Sequence, residues 1–171
     1  MDPAVDEEIA LVPYDPRWPA RFQAEREHLR TRFPELLQIE HFGSTAVPGM
    51  IAKPIVDMLA GVASMSVADR LFEPILDAGY RTSRAFNAML KDRRWFMRVA
   101  NGRRSHHLHV VALDSPQWVE HLRFRDALRS HPDLAAQYGA LKQALAAQYR
   151  HDREAHTEAK APFAARVLAG G

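Results

Sequence analysis

The residues best suited to chemistry fall in one stretch: His41-Phe42-Gly43-Ser44-Thr45, then Lys53-Pro54-Ile55-Val56-Asp57. A strand that ends in Gly43-Ser44 can present backbone N–H groups and a hydroxyl to an anion, because glycine lets the chain approach without a Cβ in the way. Asp57 follows on the next apolar run. A carboxylate facing a phosphate is useful only with a cation between them. That points to Mg2+ or a similar divalent ion, which phosphoryl and nucleotidyl transfer use to neutralise charge. Lys53 stands close enough in sequence to do the same for a phosphate. The plainer alternative is an ordinary turn followed by a satisfied strand residue.

A second group is built on histidine, of which the chain has nine. His107 and His109 alternate along one predicted strand, so their side chains share a face. If that strand lies beside the one carrying Asp57, then His41, Asp57, His107 and His109 can converge as imidazoles and one carboxylate. That donor set suits Zn2+, Mn2+, Fe2+ or Ni2+ better than Mg2+. The same rings can instead touch phosphate, act as a general base near neutral pH, or only hold strands together. Arg94, Phe96 and Arg98 alternate on their own strand, where guanidinium planes and a ring can wall a nucleotide cleft or simply pack.

The elements that must place these groups are legible from periodicity and punctuation. Helical spacing of Phe22, Leu29 and Phe33 predicts a helix over 18–32. Strands are expected at 36–43 and 54–62, with Pro54 at the first residue of the second. Ser66 caps an expected helix over 67–78, ended by Gly79. Residues 80–84 read as a short strand, as do residues 9–12. Asn101-Gly102 marks a hairpin between strands at 95–100 and 105–113. Ser115-Pro116 opens a helix to about residue 130, and helices over 133–150 and 152–168 complete the chain.

Composition bounds the rest. The 171 residues, 47% apolar and 26% charged, suffice for one domain with a hydrophobic core, expected over 9–171 behind an acidic tail at 1–8. No cysteine is present, which removes disulfides, thiolate metal sites and a cysteine nucleophile. Lys and Arg number 23 against 21 Asp and Glu, a net charge of +2. Nucleic-acid binding would need a clustered basic face, for which Arg93, Arg94, Arg98, Arg103 and Arg104 are the sole concentration. The start of the chain is acidic where a secretory signal is basic, and no apolar run has membrane-spanning length, so a cytoplasmic location is expected.

The run from His41 to Asp57 resembles the GrpB family. So do Val12-Pro13-Tyr14-Asp15-Pro16-Arg17-Trp18-Pro19, His106-His107-Leu108-His109-Val110, Phe124-Arg125-Asp126-Ala127-Leu128-Arg129 and Lys142. The resemblance covers nearly the whole chain. It implies a nucleotidyltransferase-like α/β (α+β) fold, a mixed sheet flanked by helices with a C-terminal helical segment. It also implies a phosphate-holding turn at Gly43, Ser44 and Thr45, sets the strand of His107 and His109 beside that of Asp57, and places Arg125 in the cleft. The family is also found joined to dephospho-CoA kinase in some bacteria. Active nucleotidyltransferases carry a second acidic residue two positions after the first, and here that position is Leu59. A two-metal centre needs bridging carboxylates. Two functions are therefore expected. One is metal-dependent transfer of a nucleotidyl or phosphoryl group from a nucleoside triphosphate to a small acceptor, with Asp57, His107 and His109 at the centre. The other is a non-catalytic domain binding a nucleotide, a CoA-type molecule or another anionic small molecule.

Overall fold

The computed structural model describes residues 10–149 and 153–170, with the side chains of 153–157 left aside. Helix α1 (Trp18–Arg32) leads into β1 (Gln38–Phe42) and a single 3-10 turn at Ser44–Ala46. Then come β2 (Val56–Val62), α2 (Met65–Asp77), a short α3 (Arg84–Ala88), β3 (Arg94–Ala100) and β4 (Arg103–Ala112). Three helices follow, α4 (Pro116–Ser130), α5 (Pro132–Gln148) and α6 (Arg153–Gly170). The sheet order is β1-β2-β4-β3. The central pair β2–β4 is parallel and both outer pairs are antiparallel. This is the mixed sheet flanked by helices that the family resemblance implies.

Strand alternation divides the side chains between two faces. Ile39, Val56, Met58, Ala60, Val62, Phe96, Leu108 and Val110 face the main core, with Trp18, Phe22 and Leu29 of α1 and Leu71 and Ile75 of α2. On the other face, Phe42, Leu59 and Val111 pack under Trp118 of α4. Val47 and Met50, in the loop before β2, join Leu128, Tyr138, Phe163 and Val167 from the three C-terminal helices. This second face is closed by α4 towards Leu59 and Val111, and Asp57 and His107 sit beyond that cover.

The local signals were mostly sound. Asn101 and Gly102 both take positive φ, 55° and 74°, as a two-residue hairpin turn of this hand requires. The Ser115 hydroxyl accepts from the Trp118 N–H at the start of α4. Three expectations need correction. Helix α2 begins at Met65 behind Ser64, ahead of the expected Ser66 cap. Residues 80–84 form only an isolated bridge, Arg81 to Met97, before α3 begins. Ser83 caps that helix by accepting from the Phe86 N–H, and five residues are too few to show a period. The expected first strand reduces to a bridge between Val12 and Ala52. The expected acidic tail and the start of the last helix at residue 152 lie outside the described residues.

Candidate functional site

Asp57 and Leu59 point to the second face of β2. The parallel register sets Asp57 beside His107 and Leu59 beside His109, so the two imidazoles follow the carboxylate along one face. Ligand atoms of Asp57, His107 and His109 all lie within 4.8 Å of one another. The Asp57 Oδ1 to His107 Nδ1 separation is 3.3 Å. The His107 Nε2 lies 3.1 Å from Arg104 Nη1. A guanidinium can only donate, so Nε2 accepts, and Nδ1–H donates to the carboxylate.

The position of Arg104 depends on an irregularity. The β3–β4 register pairs Arg98 with His106 and Val99 with Arg104, so Ser105 is an extra residue in the ladder. Such a bulge shifts the alternation by one and re-aims the side chain. Arg104 therefore shares a face with His107, and its guanidinium lies 5.6 Å from the Trp95 ring centroid. Trp95 also packs edge-on against His107. Phe42 meets His109 and His121 in the same manner.

Gly43 closes the carboxylate side. Its backbone is at φ 73° and ψ −170°. A Cβ there would stand 2.7 Å from Asp57 Oδ2. Only glycine accepts both that conformation and that approach. Ser44 and Thr45 follow in the 3-10 turn, and the Ser44 hydroxyl faces the Tyr138 phenol of α5. One turn further along α5, Lys142 is buried and donates to the Ile51 carbonyl.

The electrostatics follow from this packing. Burial pushes the Asp57 carboxyl up, but the His107 hydrogen bond and the neighbouring His107, His109 and Lys53 bring it down to about 2. Burial lowers His107, against the pull of Asp57, and lowers His109 well below the ordinary histidine value, helped by Arg93. The site at neutral pH is thus an ionised carboxylate with two neutral rings. His109 Nδ1 is buried and has no hydrogen-bond partner among the described residues. Burial, with Lys160 and Lys53 nearby, lowers the Lys142 amine to about 7. Burial and the Asp57 charge raise the Tyr138 phenol, which stays neutral.

The expected site residues separate into two groups. Asp57, His107, His109, Gly43 and Ser44 come together, with Lys53 close enough to influence the carboxylate. His41 does not join the three ligand atoms, because the antiparallel register sets Phe42, not His41, opposite Asp57. The His41 ring stacks on Phe22 at 4.9 Å and its Nε2 is 2.9 Å from Thr45 Oγ1. Burial lowers it to about 4, so it is a neutral packing histidine that also occupies the Thr45 hydroxyl. Arg94 turns to the opposite face and pairs with Asp69 of α2 at 2.7 Å. Arg125 holds the backbone of β1 by donating to the His41 carbonyl at 3.0 Å. Arg104, Trp95, Tyr138 and His121 were not anticipated. Only the charged Lys142 within the apolar stripe of α5 signalled that this helix faces something polar.

The arrangement defines a class first: a small mixed α/β protein with an acid–imidazole cluster at one end of a four-stranded sheet. The chain belongs to the GrpB family, whose model, described as GrpB protein, matches residues 8–169. A crystal structure of GrpB from Enterococcus faecalis superposes with a TM-score of 0.81 at 32% identity, covering 94% of this chain and 96% of that one. The glutamate-rich protein GrpB of Alkalihalophilus pseudofirmus is 35% identical, with 94% of each chain covered. The UPF0157 protein YqkA of Bacillus subtilis is 39% identical over 82% of this chain, which spans 40% of that protein's length. A dephospho-CoA kinase of Mycolicibacterium paratuberculosis is 32% identical over 91% of this chain, which spans 44% of the kinase. Among the described residues no helix is long and apolar enough to cross a membrane.

Proposed function

We propose that the protein is a metal-dependent transferase that moves a nucleotidyl or phosphoryl group from a nucleoside triphosphate to a small acceptor in the cytoplasm. One observation carries the reading: Asp57, His107 and His109 converge within 4.8 Å beside a turn whose glycine brings the backbone close to the carboxylate. The donor set fits one divalent ion of the Mn2+ or Zn2+ type, since His109 Nδ1 has no hydrogen-bond partner among the described residues and Asp57 is ionised. Were His107 to ligate an ion through Nδ1, its proton would pass to Nε2 and Arg104 would have to give way there. A bound ion supplies Lewis-acid neutralisation of phosphoryl oxygens.

The chain's own residues supply the rest. Ser44 and the N–H groups of its turn hold phosphate oxygens. Lys53 and Lys142 bring positive charge, and an anion beside Lys142 raises its amine again. Until an ion binds, His107 holds the Asp57 carboxylate through Nδ1–H. In the transfer, an acceptor oxygen bonds to the α- or γ-phosphorus and its proton leaves to solvent. The bridging P–O bond breaks, and pyrophosphate or the nucleoside diphosphate departs.

A second reading is favoured by Leu59, which is fully buried in the cluster with Phe42, Val111 and Trp118. The position where a second metal-bridging carboxylate is needed is packed with hydrocarbon. That supports a binding domain for a nucleotide, a CoA-type molecule or another anionic small molecule. The experiment is to incubate the protein with each of four nucleoside triphosphates, Mn2+ or Zn2+, and a panel of hydroxyl and amine acceptors, following phosphate and pyrophosphate. Turnover lost in Asp57→Asn supports transfer. No turnover with saturable nucleotide or CoA binding supports the second reading, and neither turnover nor binding removes both.

A further inference from the structure

A cavity of about 550 Å3 opens beside the acid–imidazole cluster, between α1, the β3–β4 turn and the segment before β2. Its lining includes Arg21, Lys53, Arg98, Arg103 and Arg104 against one carboxylate, Glu25. We propose that this cavity binds a small polyanion bearing phosphate groups, and that the bound molecule is the acceptor in the transfer. The acceptor role rests on the transferase reading; the binding does not.

Charge makes the first argument. The whole chain carries a net charge of only +2, so the cationic surplus here is a local concentration and not a share of general basicity. Glu25 does little to offset it. Its carboxylate accepts from Arg98 at 2.5 Å and from the Tyr80 hydroxyl at 2.7 Å. Burial pushes that carboxyl up, but Tyr80 and Arg98 hold it ionised and spoken for. With Arg98 matched by Glu25, the lining keeps a positive surplus from Arg21, Lys53, Arg103 and Arg104. Guanidinium forks match phosphate oxygens in pairs, which a lone ammonium does not. Concave sites with low-dielectric walls focus such a field.

Shape makes the second. The volume lies within the range of about 300–1,000 Å3 typical of small-molecule sites. The lining is a pocket closed by one helix and one hairpin, not a basic stripe of the length that a nucleic-acid strand needs. Position makes the third. Arg104 and Lys53 both line the cavity and both belong to the neighbouring cluster, Arg104 through His107 and Lys53 through its effect on Asp57. The bulge at Ser105 lets one arginine both line the cavity and meet His107, which in turn meets the Asp57 carboxylate.

The test is calorimetric titration of the full-length, metal-free protein with inorganic pyrophosphate at low ionic strength. Variants are the double charge reversal Arg21→Glu/Arg103→Glu, both exposed positions, and a control reversal Arg30→Glu/Arg70→Glu, equally exposed but outside the cavity lining. Saturable binding is expected, weakened at least tenfold by the Arg21/Arg103 reversal and changed less than twofold by the Arg30/Arg70 control. Amide shifts centred on Asn101 to His106 read the same site without substitution. The proposal is overturned if pyrophosphate fails to saturate the protein at millimolar concentration, or if the Arg21/Arg103 reversal leaves affinity within twofold. It is equally overturned if the Arg30/Arg70 control loses as much affinity, or if the amide shifts centre on the Gly43–Thr45 turn instead. No metal is present in this titration, so its outcome is separate from that of the turnover experiment.

Discussion

Replacing Gly43 with alanine tests the geometry of the site at its tightest point. The residue sits at φ 73° and ψ −170°, a region almost reserved for glycine, and holding alanine there costs about 1–3 kcal/mol. The new Cβ would lie 2.7 Å from Asp57 Oδ2 and 3.2 Å from its Cβ and Cγ. Asp57 lies on a central strand of the sheet, so its carboxylate must rotate off His107, forfeiting about 1 kcal/mol more in that long, 3.3 Å contact. The sum, about 2–4 kcal/mol, is read as a shift of the urea unfolding curve. Mn2+ affinity, measured by calorimetry on the folded variant, is expected to fall at least tenfold. Gly79→Ala is the control: its φ is 104°, but nothing lies within 4 Å of the added Cβ. It is expected to lose stability without losing metal affinity. Stability of Gly43→Ala within about 0.5 kcal/mol of the parent, with unchanged Mn2+ affinity, would refute the reasoning.

Two further perturbations bear on the same site. The Lys142 amine falls from 10.5 to about 7 through burial first and then Lys160 and Lys53. Between those values the unfolded chain binds more protons than the folded one, so stability rises with pH from about 7 to about 10.5 at up to about 1.4 kcal/mol per unit. Lys142→Met is expected to flatten that rise in urea midpoints taken from pH 6 to 9.5, and an equal slope in the variant would contradict the assignment. Leu59→Asp supplies the missing second carboxylate, yet it buries an unpaired charge under Trp118 at a cost of about 3–5 kcal/mol. Thermal unfolding should show a large loss of stability with no gain in turnover; a stable, more active variant would mean that this position is open to an ion.

Much of the fold was legible because its signals are local. The Asn101-Gly102 hairpin, the Ser115-Pro116 helix start and the helical stripe of α1 each depend on neighbours in sequence. The shared face of His107 and His109 is likewise a property of one strand. Convergence with Asp57 required the parallel pairing of β2 and β4, which no local pattern specifies. His41 failed for the same reason: pairing Phe42 with Asp57 sends the adjacent histidine to the other face. Arg104 was hidden by the bulge at Ser105, which breaks the alternation used to assign faces. The basic concentration visible in the sequence divides accordingly. Arg94 turns to Asp69, Arg104 turns to His107, and Arg98 is held by Glu25. Tyr138 and Lys142 reach the site from a helix about eighty residues downstream of Asp57, through packing of the C-terminal helices against Val47 and Met50.

The central claim is that Asp57, His107 and His109 hold one divalent ion, and calorimetric titration of metal-free protein with Mn2+, repeated with Zn2+, tests it most directly. One ion per chain is expected, lost in Asp57→Asn and in His109→Asn and retained within twofold in His41→Gln. An ion still bound at full affinity by both Asp57→Asn and His109→Asn, or no ion bound by the parent protein, would contradict the account.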